Sequence, residues 1–143
     1  YKFISNTIAK AIHSMPIVIN QNCIYDYIYI DDFIKILELF IKKNPSQKIF
    51  NVTPTQSIDL ISITKIILNI LKIDLKIKIL KDGYGREYTG NNLALLKTFP
   101  KIKFISYDKS ISILISHIKK NKSQINLKTL KDDKFLNYAK KIN

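Results

Sequence analysis

The sequence predicts an α/β fold, and three observations lead there. Stretches with apolar residues at helical spacing alternate along the chain with short apolar or alternating runs of strand character. The length of 143 residues suits about one domain with a buried core. A hydrophobic content of 46%, with three Gly and four Pro, excludes collagen-like and low-complexity classes and most disorder. A single Cys excludes an intramolecular disulfide framework and a cysteine-rich zinc site.

The elements follow in order. Residues 2–13 read as a helix, because Ile4, Ile8, Ala11 and Ile12 fall on one face. Pro16 breaks it, Ile17-Val18-Ile19 is a short apolar strand, and Asn20-Gln21-Asn22 is expected to turn. From Ile24 to Ile30 the chain alternates, placing Tyr25, Tyr27 and Tyr29 on one side of a predicted strand. Asp31 and Asp32 are expected to cap the next helix, whose basic end at Lys42 and Lys43 suits the helix dipole and stops at Asn44-Pro45. The polar stripe of that helix, Asp31, Lys35, Glu38 and Lys42, is narrow. Such a helix should be buried around most of its circumference, against more than one element.

Lys48–Val52 reads as a strand, and Ser57 or Asp59 as the cap of a second long helix reaching Ile73. Leu75–Leu80 alternates apolar residues with Lys, a strand with one wet face. Asp82–Gly90 is a loop holding all three glycines. A short helix is expected over Asn91–Phe99, a longer one starting at Asp108 or Ser110, and a marginal one over Leu130–Ala139.

Charge needs a separate reading. The net charge is +13, with residues 1–100 carrying +5 and residues 101–143 carrying +8. A basic chain invites a nucleic-acid reading. Yet 23 Lys stand against 1 Arg, and Arg is the residue that makes bidentate contacts to bases and phosphates. The 29 Ile and 12 Asn beside only 4 Ala match the codon bias of an AT-rich genome. Solvated Lys faces are therefore preferred to a nucleic-acid footprint. The longest uncharged stretch, Ala11–Tyr25, is interrupted by His13, Pro16 and three amides, so no transmembrane helix is expected. No signal-peptide pattern opens the chain. Its first residue is Tyr rather than Met, which suggests a piece of something longer.

Few residues suggest chemistry. Gly83, Gly85 and Gly90 lie between a predicted strand and a predicted helix, but the third glycine comes five residues after the second. A dinucleotide-binding turn needs three. His13, His117 and Cys23 have no partners at catalytic or metal-ligand spacing and read as packing or surface residues. Two features stand out. One is the tyrosine ladder of Tyr25, Tyr27 and Tyr29 running into Asp31-Asp32; the other is Gly85-Arg86-Glu87-Tyr88, where the only Arg sits in a glycine loop. A guanidinium kept there suits a phosphate, and a structural salt bridge is the other reading.

The order of these parts resembles the C-terminal half of the NAD-dependent epimerase/dehydratase family, the extended short-chain dehydrogenases acting on nucleotide sugars. The family's small-residue-Pro strand is matched by Met15-Pro16-Ile17-Val18-Ile19. Its Arg-Asp-Phe-x-Tyr-Val-Asp-Asp stretch is matched by Tyr25-Asp26-Tyr27-Ile28-Tyr29-Ile30-Asp31-Asp32. Its aromatic-Asn-Val strand, Ser-Leu-x-Glu helix start and Arg-x-Tyr loop are matched by Phe50-Asn51-Val52, Ser57-Ile58-Asp59-Leu60 and Arg86-Glu87-Tyr88. The resemblance covers about residues 2–121, so the expected division is 1–121 for a nucleotide-sugar-binding portion and 122–143 for a Lys-rich extension. Tyr25 stands where the family has Arg, and Asn91-Asn92-Leu93-Ala94 where it has Asp-x-Ser-Lys.

The resemblance implies the substrate-binding part of a Rossmann-type enzyme. Ile17, Val18 and Ile19 would lie near the base, Tyr25 and Tyr27 near ribose or phosphates, and Arg86 with Tyr88 at the pyrophosphate. It implies a nucleotide-diphosphate-sugar partner, NAD or NADP in the complete enzyme, a missing N-terminal Rossmann half, a homodimer, a cytoplasmic setting and a place in polysaccharide biosynthesis. The family's cofactor turn is absent here, and no Tyr of this chain has Lys four places on. No catalytic residue, bound cofactor or metal is therefore expected of this chain alone. The rival expectation is a non-enzymatic basic module that binds an acidic partner or nucleic acid through the Lys-rich C-terminal third.

Overall fold

The structure, a computed structural model, describes residues 2–46 and 49–131. Their order is α1 (Phe3–Ile12), β1 (Ile17–Asn22), β2 (Ile24–Tyr25), α2 (Ile30–Lys43), β3 (Ile58–Asp59), α3 (Leu60–Leu71), β4 (Ile77–Tyr84), α4 (Leu93–Thr98) and α5 (Tyr107–Lys120). A 3₁₀ turn at Lys122–Gln124 and a short helix α6 (Leu127–Lys131) follow. The rest of the helix expected over Leu130–Ala139, and Lys48, lie outside the described residues.

Strand β1 pairs in parallel with β4, with Ile17 opposite Ile77 and Ile19 opposite Ile79. A parallel pair needs a crossover connection, and here α2 and α3 both lie within it. Helices α1 and α3 pack on β1 of this ladder, and α5 packs on those two helices. Ile8 and Ala11 of α1, Ile17 of β1, Ile63 and Ile67 of α3, and Ile111 and Ile115 of α5 form one buried cluster. A second cluster joins Ile36 of α2 to Leu95 and Phe99, with Phe40, Phe50 and Val52 packed on it. The rings of Phe40 and Phe50 lie 5.0 Å apart, and Phe99 meets Phe40 edge-on at 5.1 Å.

Several expectations are corrected. Asn20-Gln21-Asn22 does not turn but continues β1, because the buried Asn22 amide has partners across the fold: it donates to Asp59 Oδ1 (3.1 Å) and accepts from Ile61 N–H (3.2 Å). Strand β4 runs on to Tyr84, taking in Asp82 and Gly83 (φ 73°), a backbone angle suited to Gly, so the loop proper starts at Gly85. The tyrosine ladder is not one strand. Only Ile24–Tyr25 pairs, antiparallel to Ile58–Asp59, and the backbone then leaves the ladder until Tyr29 starts α2. Ile49–Val52 is not in a strand.

Asp31 and Asp32 are not caps. Tyr29 holds the N-cap position of α2 without a side-chain bond. Asp32 is buried and instead accepts a hydrogen bond from Ile105 N–H at 2.7 Å, tying α2 to the segment before α5. For α3, the cap is Asp59, which accepts from Ser62 N–H at 3.0 Å; for α5 it is Ser106, two residues earlier than expected. Helix α2 is buried on only one side. Ile30, Phe33, Ile34, Leu37 and Ile41 are between 40% and 74% exposed.

Candidate nucleotide-binding site

The site is built where β2 meets the loop after β4. Tyr88 N–H donates to Ile24 O at 2.9 Å, and Asp26 N–H donates to Tyr88 O at 3.3 Å. This parallel bridge between Tyr25 and Tyr88 brings their rings face to face, with centroids 5.2 Å apart and planes within 6°. Tyr27 tilts against Tyr25 at 5.4 Å. Three of the tyrosines singled out in the sequence therefore form one aromatic cluster. Offset ring pairs at this separation are favourable beyond their area burial.

Polar latches hold the loop against this cluster. The Asp26 carboxylate accepts Gly90 N–H at 2.6 Å, and Gly85 N–H donates to Asn22 O at 2.7 Å. Thr53 Oγ1 donates to Gly90 O at 3.2 Å, and Asn92 Nδ2 donates to Thr53 O at 2.9 Å. The loop is thus fixed at both ends, while Arg86 between them is exposed, with Tyr84, Glu87 and Tyr88 exposed beside it in sequence. Its guanidinium makes no ion pair with any described residue, so the salt-bridge reading of Arg86 finds no partner among them.

Gly85 and Gly90 serve internal packing, whereas a Cβ on Gly83 would meet nothing within 4 Å. A Cβ on Gly85 would stand 2.6 Å from Cys23 Sγ, and one on Gly90 would stand 3.2 Å from the Thr53 methyl. Their missing side chains are filled by this chain's own atoms rather than left for a pyrophosphate. The loop therefore does not fit a dinucleotide cradle.

Three tyrosine hydroxyls at or near the cluster are held above the ordinary tyrosine range. Burial, then the nearby Tyr25 and Cys23, pushes Tyr27 up to about 12. Burial, then the Asp26 carboxylate, raises Tyr107 to about 12 as well. Tyr25 is raised by burial, then by Cys23 and Tyr88. All three stay neutral across the physiological range, which suits hydrogen bonding and stacking rather than acid–base work. Among the described residues, no group of three or more acidic, His or Cys side chains could hold a metal ion, and no helix is long and apolar enough to cross a membrane.

The remaining predicted residues lie in β1. Ile17 and Ile19 are buried in β1, and Val18 is half-buried between them. Sequence reasoning named Asp26 and Gly85 within their motifs but gave neither a role of its own. Their roles depend on contacts some sixty residues away in the chain, such as the Asp26–Gly90 bond across a separation of 64. The one available signal was the position of Asp26 inside the Tyr-Asp-Tyr stretch.

Solved structures share this fold. A dTDP-glucose 4,6-dehydratase from Bacillus anthracis bound to NAD superposes with a TM-score of 0.73 at 16% identity, over 85% of this chain and 40% of that one. A UDP-glucuronic acid 4-epimerase from Bacillus cereus bound to NAD gives 0.70 at 15% identity, over 85% and 40%. A UDP-glucose 4-epimerase from Thermus thermophilus bound to NAD gives 0.68 at 13%, over 82% and 40%. The chain has the fold of the C-terminal part of the extended short-chain dehydrogenases. It spans 40% of the length of these relatives in structure. At such identities the likeness is one of fold. No protein-family model matches the chain, and no curated protein matches it in sequence.

Proposed function

We propose that this chain supplies the nucleotide-diphosphate-sugar-binding portion of an NAD- or NADP-dependent epimerase, dehydratase or reductase. One observation carries the reading: the Tyr25–Tyr27–Tyr88 cluster lies beside a loop anchored at both ends that presents the chain's single, exposed Arg. Aromatic faces and edges suit a nucleoside, and a planar guanidinium suits a diphosphate. The neighbours named above are enzymes of nucleotide sugars and hold NAD.

In this reading Arg86 makes paired hydrogen bonds to the diphosphate. Tyr88, stacked on Tyr25, covers the ribose or phosphate side, and Tyr27 borders it. The β1 residues Ile17, Val18 and Ile19 form the apolar support nearest the base. Tyr25 replaces a family Arg, so the anionic grip falls on Arg86. The nicotinamide cofactor supplies hydride transfer in such enzymes. No residue set described here fits it, so its binding belongs to a missing N-terminal half, and the complete enzyme works as a cytoplasmic homodimer.

Calorimetric titration of UDP, GDP and dTDP into the purified chain tests the proposal. Saturable binding is expected for at least one of them. Hydrogen bonds to charged groups contribute roughly 1.5–3 kcal/mol, so Arg86→Lys should weaken binding about tenfold or more. Unchanged thermal melting is expected, because Arg86 is exposed. Equal affinity of the two proteins would show that the phosphates are held elsewhere. Equally strong binding of any polyanion, with a steep salt dependence, would favour the rival basic module.

A further inference from the structure

We infer that the groove between the C-terminal ends of α2 and α4 binds a small amphiphilic anion, an apolar chain that ends in one carboxylate. Both helices stop at a proline. Asn44 closes α2 in the left-handed region (φ 39°) ahead of Pro45, and Phe99-Pro100 follows α4. A proline cannot continue a helix, and it turns the residue before it away from right-handed helical backbone. Phe40 of α2 and Phe99 meet edge-on at 5.1 Å and hold the two ends side by side. Because the chain turns away at both ends, a groove of about 710 Å³ is left between them. That volume suits a small organic ligand, whose sites span roughly 300–1,000 Å³.

The lining has two parts, and together they choose the ligand. The floor is apolar: Phe99 is buried, and Leu39, Pro45 and Ile102 are half-buried. Lys43 and Lys101 line the groove from exposed positions, and among the described residues neither has an ion-pair partner. No Asp or Glu lines it, and the acidic residue of α2 closest to Lys43 in sequence, Glu38, is paired with Lys42 at 3.3 Å. The C-terminal end of α2 brings roughly half a negative charge, which the two ammonium groups exceed. A bare inorganic anion would leave the floor uncovered, and a neutral apolar ligand would leave both ammonium groups unmatched. A chain with one carboxylate satisfies both parts. The groove sits at the C-terminal end of α2, whereas Tyr27 precedes its N-terminal end, and 14 helical residues span about 21 Å. The site is therefore separate from the aromatic cluster, and the inference does not depend on the proposed function.

Calorimetric titration of sodium decanoate into the purified chain tests this, with every amphiphile kept below its micelle-forming concentration. One saturable site per chain is expected. Acetate, the head without a chain, and decyl maltoside, a chain without charge, should each bind at least about tenfold more weakly. Lys43→Gln/Lys101→Gln removes both ammonium groups and should weaken decanoate about tenfold. Thr98→Trp brings a ring into the groove from an exposed lining position and should abolish binding. Both variants should melt at the wild-type temperature, because the altered side chains are exposed. Arg86→Lys should bind decanoate as wild type does, which separates this site from nucleotide binding. Decanoate affinity unchanged by the two variants, several equivalents bound per chain, or equal affinity for decyl maltoside would overturn the inference. So would sedimentation with phosphatidylglycerol vesicles in the absence of a decanoate site, which would assign the two lysines to a membrane surface.

Discussion

Gly85 is the residue on which the loop's position turns. Its backbone passes so close to Cys23 that an added methyl would meet sulfur at 2.6 Å. Gly85→Ala should therefore destabilise the fold by about 1–3 kcal/mol, the usual cost of overpacking. Adding Cys23→Ala should return most of that loss, and urea unfolding of the three variants measures it. If the single Ala variant is as stable as wild type, the loop is not clamped where the structure places it. Asp59 gives a pH prediction. Burial raises its carboxyl, but hydrogen bonds from Ser62 and Asn22 outweigh this and leave it below the ordinary value of 3.8. A lowered carboxyl stabilises the fold above the unfolded value and loses that contribution as pH falls through the folded one. Asp59→Asn keeps a capping side chain, so it should match wild type more closely below about pH 4 than at pH 7. Thermal melts from pH 2.5 to 7 would reveal the convergence; parallel curves would place the effect elsewhere.

At the scale of elements, α2 shows how far the sequence could be read. Its helical character, its ends and its narrow polar stripe follow from residues 30–43 alone. The stripe predicts burial against more than one element, yet among the described residues Ile30, Phe33, Ile34, Leu37 and Ile41 stay exposed. What the residues could not show is the use made of Asp32. An acidic side chain at a helix start usually caps that start, but this one reaches Ile105, 73 residues on. Asp32→Ala leaves that N–H without its partner and should cost about 1–3 kcal/mol. Faster hydrogen exchange at Ile105, with α1 unaffected, is the expected local signature. The tyrosine ladder fails for a related reason. Alternation over Ile24–Ile30 predicts a strand, but a strand lasts only while a neighbour pairs with it, and pairing stops after Tyr25, which lies opposite the first residue of β3, Ile58. The ordered motifs name Tyr25, Tyr27 and Tyr88, which the structure brings into one aromatic cluster. The stacking of Tyr88 on Tyr25 and the Gly90–Asp26 latch are long-range contacts that no local pattern encodes.

The whole molecule joins an aromatic cluster of Tyr25, Tyr27 and Tyr88 to a loop whose Gly85 and Gly90 are packed against Cys23 and Thr53. The helices that carry Ile8, Ile63, Ile67 and Ile111, an apolar β1 and an alternating β4 were each visible in the spacing of apolar residues, but their packing together and the parallel pairing of the two strands were not. The most direct measurement is a paired titration of the purified chain, with NADH followed by fluorescence and with UDP, GDP and dTDP followed by calorimetry. The account predicts saturable binding of a nucleoside diphosphate and none of NADH, because Gly85 and Gly90 are filled by Cys23 and Thr53 rather than open to a pyrophosphate. Tight NADH binding, or no binding of any of the three diphosphates, would contradict it.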